Sequence, residues 1–194
     1  MGIELLPGFL RTNYEVHEWK HAGAILKNDF SEEWNDIVEV LKGFRFRRSE
    51  ILARGGRKTS ITDRLEREFI RRGWREKSVK TKMIIENAVT EELPGQTHKI
   101  DCFKNRVGLE IEWNSKDQTF DRDLFGFRTL FELERMSVGV IITRSDELQD
   151  IFNHLEVRDK YGASTTHMGK LLPRMRAGRS GGCPVLIFGI TKKL

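Results

Sequence analysis

Three acidic residues lie close together around a predicted β-hairpin in the second half of the chain. Asp101 lies in the first predicted strand, residues 99–103, and Glu110 and Glu112 lie in the second, residues 107–113. Because side chains alternate across a strand, Glu110 and Glu112 share one face, and the hairpin can bring Asp101 beside them. Carboxylates this close repel one another, so they are tolerated most easily where a divalent cation neutralises them. The spacing therefore indicates a metal site.

The same spacing also arises by chance on a solvated strand face, since 29 of the 194 residues are Asp or Glu. Two features favour the metal site. Glutamate lowers strand propensity, yet Glu110 and Glu112 alternate with apolar residues in a strand that is expected to be buried. A polar loop, residues 114–117, follows this strand at the place where the mouth of a site would lie.

Positive charge is concentrated in the first half of the chain. Residues 45–82 hold 14 Lys and Arg against 5 Asp and Glu, a net charge of +9, so the remainder carries −4 of the total +5. A basic segment beside an acidic cluster is typical of a metal-dependent nuclease, because Lys and Arg bind phosphates and acids bind the ion. Arg54, Arg57 and Lys58 are predicted to contact a DNA backbone. Ion pairs on a solvated helix face are the other explanation of the charge, above all at 64–77.

Length and composition limit the class of protein. A chain of 194 residues is predicted to form one domain, 1–194, with a basic N-terminal half, 1–82, and a catalytic core that begins near residue 83. No apolar run approaches the roughly 20 residues that span a membrane, and residues 1–8 do not resemble a secretory signal. The two cysteines form no disulfide or metal pattern. We therefore expect a cytoplasmic protein, and the absence of the G-x-x-x-x-G-K-[ST] spacing predicts no nucleotide cofactor.

The pattern of apolar residues predicts an α/β protein with a central mixed sheet and helices on both of its faces. Helices are predicted from Ser31 to Gly43 and over residues 121–135, and the second is apolar over more than one stripe. Residues 138–143 and 184–190 are near-continuous apolar runs, which are typical of buried strands. Further local predictions are a strand at 83–89, a turn at 90–97 around Pro94–Gly95, and a helix from Thr166 that ends before Pro173.

Extended similarity links these features to a known family. The run from Leu109 to Asp117, LEIEWNSKD, followed by FDRDL at 120–124, resembles type II restriction endonucleases of the BglII/BstYI kind, which belong to the PD-(D/E)XK nuclease superfamily. The resemblance continues through later runs at 137–147, 161–167 and 182–189, so it covers the second half of the chain well and the first half loosely. It departs from the superfamily pattern where Ile100 replaces the proline and Glu112 replaces the lysine.

The resemblance implies a restriction-endonuclease-like fold and cleavage of double-stranded DNA at a short palindrome, by a homodimer built on the helix that follows the hairpin. Asp101, Glu110 and the backbone carbonyl of Ile111 would bind Mg²⁺ for metal-assisted hydrolysis. Glu112 would orient or deprotonate the attacking water. Glu86 lies 15 residues before Asp101 and, by the same resemblance, would support the metal site.

Sequence-specific cleavage needs polar side chains that reach base edges in a groove. The loop after the acidic strand and the Ser/Thr-rich segment before the last helix provide such side chains, although a helix N-cap is another role for the second segment. Two other functions are compatible with the sequence: a repair-type or non-cleaving DNA-binding protein of the same fold, and an ion-pair cluster in a scaffold protein. The candidate base-reading residues are Asn114, Ser115, Lys116, Asp117, Ser164, Thr165, Thr166, His167 and Arg174.

Overall fold

The structure is a computed structural model that describes residues 2–53, 58–85 and 91–194. Within these ranges the chain forms six strands, eight α-helices and two short 3₁₀ helices. The strands are β1 (Tyr14–Trp19), β2 (Arg75–Ile85), β3 (Glu91–Lys104), β4 (Val107–Glu112), β5 (Val138–Arg144) and β6 (Val185–Ile190). The α-helices are α1 (Gly8–Asn13), α2 (Ala22–Asp29), α3 (Ser31–Gly43), α4 (Arg48–Leu52), α5 (Ser60–Arg71), α6 (Thr119–Glu132), α7 (Leu148–His154) and α8 (Met168–Arg176). The 3₁₀ helices span Gly2–Leu5 and Arg158–Tyr161.

The strands form one mixed sheet in the order β1-β6-β5-β4-β3-β2. β4, β5 and β6 run parallel in the centre, and β1, β3 and β2 join as antiparallel strands towards the two edges. Every residue of the three parallel strands is buried. Parallel strands in the centre of a sheet are covered on both faces, which explains why the sequences of β5 and β6 are continuous apolar runs. The predicted α/β fold with a mixed sheet is confirmed.

Helices cover both faces of the sheet and divide the core into two apolar layers. One layer contains side chains from α1 to α5 and from α7, and the other contains side chains from α6 and α8. The residues of β4 alternate between the two layers. Leu109 and Ile111 pack in the first layer, so Glu110 and Glu112 point towards α6. Among the described residues, no helix has both the length and the apolar character that crossing a membrane requires.

The turn between β3 and β4 is a two-residue hairpin turn at Asn105 and Arg106. Both residues have positive φ angles, 48° and 83°, and Lys104 pairs with Val107 across them. This is the backbone of a type I′ turn, whose twist matches that of the flanking strands. Asparagine tolerates the left-handed region better than most residues, and hydrogen bonds to Ser137 hold Arg106 there. The hairpin predicted across residues 99–113 is confirmed.

β3 contains a β-bulge, one extra residue relative to β2, in the segment Asp101–Cys102. Between the partners of Arg75 and Lys77 in β2, β3 advances by three residues instead of two. A β-bulge of this kind redirects the side chains around it. Its effect is visible in the core, because Ile100 packs in the α6 layer and Cys102 packs in the opposite layer, although residues two apart in a regular strand share a face. The bulge therefore aims Asp101 at the edge of β4.

Two glycines bring α6 close to the sheet. Gly108 of β4 pairs with Gly139 of β5, and a Cβ atom placed on Gly139 would lie 2.3 Å from a ring carbon of Phe127. The ring of Phe127 therefore lies directly on the glycine pair, where a larger residue would not fit. Asp123 lies one turn before Phe127 on α6, so the same contact holds Asp123 against the acidic side chains of β4.

The turn predicted at 90–97 is wrong. From Glu91 onward these residues form the first part of β3. Pro94–Gly95 lies where the register between β2 and β3 shifts, between the partners of Lys80 and Lys82. A bulge interrupts the hydrogen-bond ladder, so it accommodates a proline that cannot donate to that ladder.

The prediction that a helix ends before Pro173 is also wrong, because α8 runs through Pro173 to Arg176. Leu171 and Met175 are almost fully buried on one face of α8. Burying two such side chains contributes about 1.5–3 kcal/mol each. This burial outweighs the cost of about 3 kcal/mol for a proline in a helix interior.

Candidate active site

The acidic residues lie where β3 and β4 separate. The two strands are paired as far as Cys102 opposite Leu109, and beyond this point β4 pairs with β5 alone. Two carboxylates fill the gap: the backbone N–H of Asp101 donates to Oε2 of Glu110 at 3.3 Å, and the backbone N–H of Ile111 donates to Oδ2 of Asp101 at 3.4 Å. Buried N–H groups need partners, so the carboxylates replace the ladder bonds that the separated strands no longer make.

A fourth acid, which the sequence analysis did not include among the site residues, enters the site from α6. Asp123 is 3% exposed, Glu110 is 2% exposed and Glu112 is 4% exposed. Arg122 donates to Oδ1 of Asp123 from Nε at 3.1 Å and from Nη2 at 2.9 Å. The same Nη2 lies 3.8 Å from Oε1 of Glu112. Four acids therefore surround the strand gap, and the guanidinium of Arg122 lies against two of them.

The site holds more carboxyl groups than the described basic side chains neutralise. Burial raises the pKa of Glu110 well above its ordinary value, and the neighbouring carboxyl groups raise it further. Burial, with the charge of Asp123, also raises the pKa of Glu112. Burial raises the pKa of Asp123, although Arg122 opposes this shift. In the absence of a cation, the site therefore holds protons at pH values where carboxyl groups are usually ionised.

Glu112 and Asp123 can form a hydrogen bond with each other only when one of the two carboxyl groups is protonated. Their carboxyl groups are close enough to form a hydrogen bond when one of them is protonated. As two carboxylates they have no such bond, and Oε2 of Glu112 and Oδ2 of Asp123 are then buried without a partner among the described residues. Buried acceptors without partners destabilise a fold. A divalent cation is the other group that would satisfy them.

The donors at this site match a hard divalent cation by chemical type. Asp101, Glu110, Glu112 and Asp123 offer carboxylate oxygens, and the carbonyl of Ile111 offers a backbone oxygen, as such ions prefer. In the described part of the chain, no three acidic, histidine or cysteine side chains converge closely enough to hold an ion as they stand. An ion held here would therefore need these side chains to rotate.

A cleft of about 590 Å³ opens beside these acids. Asp101 and Glu112 line one side of it, and Lys58, Thr59, Thr62 and Glu66 line the other. Glu66 forms an ion pair with Lys58. Burial raises the pKa of Glu66, and Lys58 opposes the shift while Asp101 adds to it. Glu66 is thus an acid that α5 brings to the site from the basic half of the chain.

Three predicted site residues, Glu86, Arg54 and Arg57, lie outside the described residues. The strand predicted at 83–89 is present in β2 as far as Ile85. Glu66 was not predicted as a site residue, because the charges around it resemble those of a solvated helix face. Its one distinguishing signal is its place on the apolar side of α5, where it is only 9% exposed.

Two segments that were predicted to read bases lie side by side, although they are far apart in sequence. Residues 114–117 follow β4, and residues 164–167 precede α8. Lys116 and Thr165 form a single antiparallel bridge between them. We refer to these two segments as the paired loops. Backbone hydrogen bonds on either side of the bridge join Asp117 to Ser164 at 2.9 Å and Thr166 to Ser115 at 2.8 Å.

Most of the candidate base readers already have partners inside the protein. Thr166 is fully buried, and its hydroxyl accepts from the backbone of Ser115. Hydrogen bonds within the protein also occupy the side chains of Asn114, Asp117, Thr165, His167 and Arg174. The candidates with exposed side chains are Ser115, Lys116 and Ser164.

A gap in a mixed sheet that is lined by acids, a cleft with a basic side chain, and polar loops beside it are the features of a metal-dependent nuclease. The sequence model of the family Restriction endonuclease BglII/BglIII matches residues 14–190, nearly the whole chain. The chain belongs to this family of endonucleases, whose substrate is DNA, and the resemblance seen in the sequence is confirmed. No curated protein matches the chain significantly.

The raised carboxyl pKa values predict a stability that falls as the pH rises. The folded-state pKa is about 7 for Asp123 and about 8 for Glu112, whereas both are near 4 in an unfolded chain. Between about pH 4 and pH 8 the folded state binds more protons than the unfolded chain does. The contribution of these two groups to the free energy of unfolding is therefore complete below about pH 4 and decreases as the pH rises to about 8. We expect Asp123→Asn to raise the free energy of unfolding by about 2 kcal/mol at pH 8 and by much less at pH 5, in metal-free buffer.

Denaturant unfolding at the two pH values measures this difference. Asp121→Asn is the matched control, since Asp121 lies on the same helix but pairs with Arg174 at the surface. It should show no gain at pH 8. Equal loss of stability by Asp123→Asn at both pH values would contradict the assignment of repulsion to this site.

Proposed function

We propose that the chain is a type II restriction endonuclease that hydrolyses phosphodiester bonds of double-stranded DNA at a short palindrome and requires Mg²⁺. The observation that carries the proposal is the strand gap, where Asp101 and Glu110 stand in place of the β3–β4 ladder and Asp101 borders a cleft. The family gives the class of reaction. Carboxylate oxygens at this position are the ligands that Mg²⁺ prefers.

The residues of the gap divide the chemistry between them. Asp101, Glu110 and the carbonyl of Ile111 would hold Mg²⁺, which would supply Lewis-acid polarisation of the scissile phosphate and a lowered pKa for water. Glu112 lines the cleft with Asp101, where its carboxylate would orient the attacking water and take the proton as the water attacks phosphorus. Glu112 carries no positive charge for the transition state. Arg122, which lies 3.8 Å from Glu112, supplies that charge in the place of the usual lysine.

Glu66 supports the site from α5. Its carboxyl group shares the cleft with Asp101, and the repulsion between them contributes to its raised pKa. Lys58 forms an ion pair with Glu66 and lines the cleft where a DNA phosphate would approach. Its ammonium group can therefore exchange its ion pair with Glu66 for one with the phosphate. Glu86, the upstream acid expected from the sequence, is the alternative for this role.

The paired loops are proposed to read bases beside the catalytic residues. Asn114 and Ser115 line the same cleft as Asp101 and Glu112, so one DNA duplex can contact both parts. The exposed side chains on the paired loops are Ser115, Lys116 and Ser164, which carry donors and acceptors for base edges. Cleavage of the two strands of a palindrome then needs two such sites related by a two-fold axis.

A homodimer built on α6 would supply the second site. Phe125 on α6 is 47% exposed, and Leu133, directly after this helix, is 51% exposed. Large apolar side chains that remain exposed on a helix beside the active site favour an interface between subunits. Each subunit would be one domain, because β1 from the first half pairs along its whole length with β6 from the second. Such an enzyme would act in the cytoplasm.

Removal of the central carboxylate tests the proposed chemistry. We expect Glu110→Gln to lower the rate of plasmid cleavage by about 10³-fold or more, because a bound metal contributes several kcal/mol to the transition state. Glu66→Gln should lower the rate by a smaller factor. Glu68→Gln is the control, since Glu68 lies on the same helix and forms ion pairs with Arg71 and Arg72. Gel analysis of fragments with Mg²⁺ and with EDTA gives the measurement.

Discrete fragments that appear only with Mg²⁺ would support a restriction endonuclease. Nicks or smears would indicate a repair-type or nonspecific nuclease, and DNA binding without cleavage would indicate a non-cleaving module. Cleavage by Glu110→Gln at the wild-type rate would exclude the proposed metal ligands.

The subunit interface gives a separate prediction. The wild-type protein should elute with twice the chain mass of 22.6 kDa, and Phe125→Glu should shift it to the monomer because a buried charge opposes association. Leu5→Glu is the matched control, since Leu5 and Phe125 are both 47% exposed. Size-exclusion chromatography with light scattering measures both masses. A dimer that persists in Phe125→Glu would place the interface elsewhere.

A further inference from the structure

Arg144 is a buried cation outside the catalytic cluster. It ends β5 and is only 2% exposed. Its guanidinium carbon lies 5.4 Å from the ring centre of Phe152 and 5.3 Å from that of Tyr161, and these two rings stack at 4.0 Å. No acidic side chain among the described residues forms an ion pair with it. A buried charge is costly unless its donors are satisfied, so the partners of Arg144 define what it does.

The hydrogen bonds of Arg144 join the two paired loops. Nη1 donates to the carbonyl of Trp113 at 3.2 Å and to Oδ1 of Asn114 at 3.1 Å. Nη2 donates to Oγ1 of Thr165 at 2.6 Å. One planar guanidinium thus holds the end of β4 and the segment before α8 at a fixed separation. A lysine at this position could not make the same three bonds, because its donors do not form a rigid fork.

We propose that Arg144 is a positioning residue for base recognition, which it controls by fixing the paired loops relative to each other. The proposal rests on the proposed function. The exposed candidates on these loops are Ser115, Lys116 and Ser164. Each lies within two residues of Asn114 or Thr165, the two side chains to which Arg144 donates. Base discrimination depends on hydrogen-bond geometry. Arg144 therefore determines specificity without touching DNA.

The side chain of Asn114 supports this assignment. Its amide accepts from Arg144 and donates to the carbonyl of Lys160 at 3.1 Å. Lys160 in turn donates to the carbonyl of Ile51 at 2.7 Å. The oxygen and the nitrogen of the Asn114 amide are thus both bonded inside the protein, so we assign Asn114 with Arg144 to the support beneath the loops.

The test compares Arg144→Lys, Thr165→Val and the double variant with the wild-type protein. Each enzyme digests a random-sequence DNA library with Mg²⁺, and the sequenced fragment ends give the ratio of cleavage at the preferred site to cleavage at sites that differ by one base. We expect each single variant to lower this ratio by about tenfold or more, the scale of one lost base-reading contact. The double variant should lower it by less than the two single losses combined, because both changes remove the bond between Nη2 and Oγ1. Thr165→Val also removes the bond that Oγ1 donates to the carbonyl of Gly162 at 2.6 Å.

Ile142→Val controls for a general loss of stability. Ile142 is fully buried in the same strand, where it pairs with Ile111 and Phe188, so this variant should lower the melting temperature and keep the wild-type ratio. If Arg144→Lys does not fold, wild-type discrimination in Thr165→Val still overturns the proposal.

Wild-type discrimination in both Arg144→Lys and Thr165→Val would overturn the proposal, and so would additive losses in the double variant. Failure of the wild-type protein to cut any preferred sequence is a different outcome, since it overturns the proposed function itself. A wild-type enzyme that cuts one sequence and variants that cut related sequences would support both proposals.

Discussion

Repulsion among buried carboxyl groups is the constraint on which the rest of this structure depends. Asp101, Glu110, Glu112 and Asp123 converge on a gap between two strands, and the described residues place only the guanidinium of Arg122 directly against them. Burial raises the pKa values of the three most buried acids. A fold that keeps such a cluster loses stability unless protons or a cation neutralise it. The cluster therefore indicates function, because stability alone would favour apolar residues at these positions.

The elements around the gap exist in the form that this cluster needs. A bulge at Asp101 turns its side chain towards β4, and the glycine pair Gly108 and Gly139 lets α6 approach closely enough to deliver Asp123. The buried parallel strands fix the position of Glu110 and Glu112. The site is thus built on rigid elements of the sheet, whereas the paired loops, which Arg144 fixes, carry the exposed polar groups.

Local patterns predicted the features that depend on one strand or one hairpin. The alternation of Glu110 and Glu112, the hairpin before them and the continuous apolar runs of β5 and β6 follow from side-chain periodicity, so they could be predicted. Asp123 could not, because its place in the site depends on how α6 docks on two glycines. Glu66 was missed for the same reason, since only the packing of α5 shows which of its charged residues faces the cleft.

Tertiary contacts also explain the two places where local sequence rules gave the wrong secondary structure. Pro94–Gly95 lies in a strand because the ladder is interrupted there, and Pro173 lies inside a helix because the opposite face of α8 is buried. The paired loops show the same limit, because no sequence pattern links segments that meet only through the fold. Sequence similarity identified the family, and the structure brings together the residues of this chain that we propose perform its chemistry.

Proton release on metal binding tests the central claim most directly. Calorimetric titration of the wild-type protein with Mg²⁺ at pH 7, in two buffers of different ionisation enthalpy, measures how many protons leave the site as the ion binds. We expect the release of one proton or more per ion, because carboxyl groups that are protonated in the metal-free cluster must ionise to act as ligands. Binding without proton release, or no binding at all, would contradict it.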